Sequence, residues 1–145
     1  MYNNLVSYIF SFAFTTVLLA YIVKLPYLIT GNKTLINEYY SKKFVSSAIL
    51  DIFLFGIYIY ISQFFINYFK INNITYKLIA VAITTIIISG SFFIYFINKP
   101  SDNTFFSRWF HTVGYKAIVY DVILITFSYM IYNYLLTISI NKTLV

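Results

Sequence analysis

The 145-residue chain is of single-domain length, 61% apolar and only 10% charged, against the roughly 25% charged residues of soluble globular chains, so it lacks the polar residues to coat a water-soluble core. Its mean hydropathy of +0.80 fits lipid as the solvent. The net charge of +6 sits in short segments between apolar runs, which suits anionic lipid headgroups and excludes a basic stripe tracking a nucleic acid.

Cysteine is absent and His111 is the single histidine. These counts remove disulfides, thiolate nucleophiles and clustered Cys/His metal sites, and no cofactor is expected. The Met1-Tyr2-Asn3-Asn4 start carries no basic region and no small-residue cleavage pattern follows. The first apolar run therefore reads as a retained span.

About 20 apolar residues cross the hydrocarbon as a helix, and four runs qualify: about 5–23, 44–69, 78–97 and 117–140. The β-branched and aromatic residues would favour strands in water. In lipid, backbone groups must pair within the segment, so helices are expected. The fold class is all-α: a four-helix transmembrane bundle forming one integral membrane domain.

The first run ends at Lys24 and Pro26, and its connection holds Gly31. The second connection, Lys70 to Lys77, is short. The third, after Asn98-Lys99-Pro100, is long like the first. Each long connection follows a Lys-Pro pair and leads to a span with an aspartate near its start, Asp51 or Asp121. This echo raises two parallel two-span repeats, a plan that places sites at the repeat interface. Chance likeness between apolar segments is the alternative.

Lys24, Lys33, Lys42, Lys43, Lys99, Arg108 and Lys116 lie on the long-connection side, against Lys70, Lys77 and Lys142 opposite. Seven basic residues against three place the long connections in the cytoplasm and both termini on the other side. Three Asn-x-Thr triplets, at Asn32, Asn73 and Asn141, have the form of glycosylation acceptors, but such triplets arise by chance in a chain this rich in Asn and Thr.

Asp51 and Asp121 are the sharpest features. An ionised carboxylate in hydrocarbon costs roughly 2.5 kcal/mol or more. Each should face the bundle interior, pair with a cation or carry a proton. Helical spacing puts Tyr58 and Ser62 on the face of Asp51, and Ser128 and Tyr132 on that of Asp121. One reading is a proton or cation site shared by the second and fourth spans. The other is a structural network with Tyr, Ser, Lys24, Arg108 or Lys116 as partners.

Ser7, Ser11 and Thr15 in the first span, and Ala80, Thr84, Ser89, Gly90 and Ser91 in the third, are small enough for close helix packing. In the third connection, residues 105, 106, 109, 110 and 113 are apolar on one helical face, with Ser107, Arg108, His111 and Thr112 on the other. A short interfacial helix is expected there, before the last span, with Arg108, Trp109 and His111 at the headgroups and Gly114 as the bend. Tyr39, Tyr40, Tyr76 and Tyr115 are expected at the membrane interfaces.

The stretch Trp109-Phe110-x-x-Val113-Gly114-x-Lys116-Ala117-x-x-Tyr120-Asp121 resembles the C-terminal hairpin of uncharacterised small multi-span membrane proteins of large DNA viruses. The resemblance covers about the last forty residues. It implies a membrane protein of infected cells or of a virion's internal membrane, with no assigned chemistry. The expected function is a structural or scaffolding role. The partners are then anionic headgroups, further copies of the chain, or other membrane or capsid proteins. The alternative is a small oligomeric transporter or channel that uses the aspartates for a proton or cation.

Overall fold

The computed structural model describes residues 2–143, with side-chain surroundings over 4–138. The Asn141 triplet and Lys142 lie outside the described side chains. No strand occurs among the described residues. The helices are α1 (Tyr2–Thr16), α2 (Leu25–Thr30), α3 (Lys33–Asn37), α4 (Phe44–Tyr68), α5 (Ile74–Ile97), α6 (Phe105–Val113) and α7 (Lys116–Thr143). Two π-helical stretches, Val17–Ile22 and Glu38–Lys42, extend α1 and α3.

Four segments are long and apolar enough to cross a membrane: Asn4–Ile22, Phe44–Tyr68, Ile74–Ile97 and Lys116–Ile138. The third starts four residues earlier than the apolar run at Leu78, because Asn73 caps it by accepting from the Thr75 N–H at 2.8 Å. Asn32 likewise caps α3 by accepting from the Leu35 N–H at 3.0 Å. Two of the Asn-x-Thr triplets thus mark helix starts, where Asn satisfies an otherwise unpaired amide.

Helix α7 is the centre of the bundle, packed closely on α1 and on α5, while α4 leans mainly on α5. Small residues set the close contacts. Ser11 and Thr15 of α1 and Thr84, Thr85 and Ser89 of α5 are all buried. Most return their hydroxyls to their own helix, as Thr15 does to the Ser11 carbonyl at 2.7 Å and Thr85 to the Val81 carbonyl at 2.8 Å. That satisfies the polar atom without a partner helix.

The α1–α4 edge is built from rings instead. Phe55 stacks between Tyr8 and Phe12, with centroids 4.9 and 5.0 Å away. The Tyr8 hydroxyl donates to the Ile52 carbonyl at 2.5 Å. Gly56 leaves the room for this, since a Cβ there would sit 3.0 Å from that hydroxyl oxygen. Elsewhere the outer faces of the spans expose Ile, Phe and Tyr, as a lipid-solvated surface requires.

Both long connections are folded and meet at one end of the bundle. Pro26 lies in the first turn of α2, and Gly31 ends the helix at φ +71°. Gly114, at φ +63°, makes the bend between α6 and α7. Arg108 of α6 reaches Glu38 of the first connection at 2.7 Å, and Lys43 reaches the same carboxylate at 2.9 Å. The two cations hold the Glu38 carboxyl at about 2, Arg108 contributing most.

Candidate functional site

The aspartates lie inside the bundle near the folded end. At 1.5 Å per residue, Asp51 is about 10 Å below the start of α4 and Asp121 about 8 Å below the start of α7. Both line one cavity of about 260 Å³. Phe12, Phe55 and Ile125 line its deep end, while Phe105, Phe106 and Trp109 of α6 cover it. Phe92 of α5, 42% exposed, stands on its margin beside Leu50 and Leu54 of α4, so the cavity reaches the outer surface between α4 and α5.

Each carboxylate is held by one hydroxyl. Tyr39 donates to Asp51. Ser89 donates to Asp121 at 2.6 Å, and Ser89 is itself 2.7 Å from the Tyr58 hydroxyl. Tyr40 and Tyr120 pair through their hydroxyls at 2.7 Å. The π-helical turn at Glu38–Lys42 matters here, because its wider spacing aims two consecutive residues, Tyr39 and Tyr40, into the bundle. Such turns recur at functional sites.

The hydroxyls under the aspartates are placed differently from their sequence spacing. Tyr58 belongs to Asp121 through Ser89, and has no bond to Asp51 on its own helix. Ser62 and Ser128 are fully buried, and their hydroxyls have no hydrogen-bond partner among the described residues. Tyr132 packs edge-on against Tyr8, 6.3 Å between centroids. Tyr76 and Tyr115 are exposed, but Tyr40 is buried and Tyr39 packs against the core cluster, against the expectation that all four mark interfaces. They turn inward because the connection they sit on folds over the bundle.

Among the described residues no Lys, Arg or His reaches either aspartate within 4 Å. Arg108 is engaged by Glu38. His111 contacts the Lys99 carbonyl at 3.1 Å, tying α6 to the end of α5. Trp109 lines the cavity and lies nearly parallel to Phe105, 5.7 Å between centroids.

No family model, curated protein or solved structure matches the chain.

A carboxylate offers about four acceptor sites, and each aspartate has one hydroxyl donor. The remaining acceptors face an aromatic cavity. Tyr39, Tyr40, Ser89 and Tyr120 complete the site, and sequence reasoning assigned them to interfaces, packing or no role. No spacing rule would have found them, since their partners lie on other helices.

Proposed function

We propose that this multi-span membrane protein is a small transporter whose cavity binds a cation or proton at Asp51 and Asp121. One observation carries the reading: two intramembrane carboxylates line a single cavity, and neither has an ion-pair partner among the described residues. A buried ion costs several kcal/mol even after relaxation, while a hydrogen bond to a charged group returns about 1.5–3 kcal/mol. One hydroxyl apiece does not close that gap, so each carboxylate is expected to take up a proton or to bind a cation. The cavity ends at Phe12, Phe55 and Ile125 rather than crossing the bundle. A cavity closed at that end and covered by α6 at the other speaks against a standing pore. The long basic connections then lie on the cytoplasmic side against anionic headgroups.

The scaffold reading keeps one specific support, because Tyr39–Asp51 and Ser89–Asp121 also tie separate elements together. Proton and cation flux into proteoliposomes separates the two. Flux that disappears in Asp51→Asn with Asp121→Asn, with the fold intact, supports the carrier. Absence of flux in the wild type, with the variants falling apart in detergent, leaves the aspartates structural. The viral setting implied by the C-terminal resemblance belongs to the same proposal and is tested by looking for the protein in purified virions.

A further inference from the structure

We propose that the cavity selects a small organic ammonium ion, in preference to an inorganic cation, by pairing two carboxylates with a cage of aromatic rings. The inference rests on the reading of the cavity as a cation site and names the substrate class.

The lining supports it in three ways. First, only two carboxylates line the cavity, few acidic ligands for a hard divalent cation. Calcium takes six to eight oxygen ligands and magnesium needs an octahedron, and among the described residues no cluster of three acidic, His or Cys side chains could hold a metal ion. Second, aromatic side chains dominate the walls, among them Tyr39, Phe55, Phe105, Trp109 and Tyr120. Ring faces attract alkylammonium groups, most strongly where water is excluded. Third, the size is restrictive. About 260 Å³ lies just under the roughly 300 Å³ at which pockets for drug-sized ligands begin, so a compact amine fits better than a large dye. The margin at Phe92, Leu50 and Leu54 opens toward the lipid-facing side, which gives an amphiphilic cation a route from the bilayer.

Trp109 is the only tryptophan and lines the cavity, so its fluorescence reports occupancy without a label. The experiment titrates the purified protein in detergent with benzyltrimethylammonium and, separately, with neopentylbenzene, which has the same shape without the charge. The expected result is a saturable change with the cation and binding about tenfold or more weaker with the neutral analogue, the scale a desolvated cation–ring contact supplies. Asp51→Asn and Asp121→Asn should each weaken the cation and leave the neutral analogue unchanged. Equal binding of the two compounds to the wild-type protein would overturn the proposal, and that comparison requires no variant to fold. So would the absence of a saturable change, or displacement of the cation by millimolar sodium or calcium. If aspartate-dependent proton flux occurs while the ammonium does not bind, the carrier reading stands and this inference falls. If the ammonium binds through the aspartates and no flux is found, the selectivity stands and the carrier reading falls.

Discussion

Gly56 is a position where a single methyl group should show how α1 and α4 are held together. In Gly56→Ala the new Cβ would lie 3.0 Å from the Tyr8 hydroxyl oxygen and 3.8 Å from the ring carbon that bears it. The Tyr8 ring has little freedom to move, being stacked on Phe55 and edge-on to Tyr132. Two costs follow: about 1 kcal/mol for disturbing the hydrogen bond to Ile52, and roughly 1 kcal/mol or more for overpacking. Against them stands a helix-propensity gain of about 1 kcal/mol for replacing glycine. Gly56→Ala alone should therefore destabilise by about 1 kcal/mol. In a Tyr8→Phe background the clash and the bond are both gone, and the same change should be neutral or stabilising. The propensity term cancels in the double-mutant cycle, which leaves a coupling of about 2 kcal/mol. Reversible unfolding in mixed micelles of rising dodecyl sulfate content measures it. Additive effects, within about 0.5 kcal/mol, would refute the contact.

Other substitutions separate satisfied hydroxyls from idle ones. Ser89→Ala removes the link between Tyr58 and Asp121 and should cost about 1–3 kcal/mol, whereas Ser62→Ala and Ser128→Ala should be neutral or stabilising in the same unfolding assay, because those hydroxyls have no partner. Glu38 supplies a pH test at the folded end. Its carboxyl is held at about 2, below its ordinary 4.5, so the stability it contributes is present above about pH 4.5 and lost as pH falls toward 2. Trp109 fluorescence should shift across that window as α6 loosens. Glu38→Gln should abolish the step; a step that persists in it would assign the transition to another group.

What the sequence made legible follows from solvent and length. The four spans were readable because lipid demands about twenty apolar residues in a row. Helix α6 was readable because its 105, 106, 109, 110, 113 pattern covers two turns. Helices α2 and α3, at six and five residues, are too short to show a period; Pro26 and Gly31 read only as turn residues of the connection, and Asn32 only as part of a chance triplet. The interior faces of the spans were harder to find. Lipid tails and packed side chains are equally apolar, so periodicity does not separate inside from outside. Asp51 and Asp121 stood out as charges in hydrocarbon. Their donors did not, because the register that brings Ser89 to Asp121, and the π turn that brings Tyr39 to Asp51, are properties of the packed bundle.

The central claim is that Asp51 and Asp121 share one cavity, and thiol cross-linking tests it most directly. The chain has no cysteine, so Asp51→Cys with Asp121→Cys introduces the only two thiols. Cleavage at a site for a sequence-specific protease, inserted between Lys70 and Lys77 in the short connection, separates α4 from α5 and α7. If the two positions face the same cavity, a short bifunctional thiol reagent added before cleavage keeps the halves together on a denaturing gel. Halves that separate, while each single cysteine variant reacts with the reagent, would contradict the shared site.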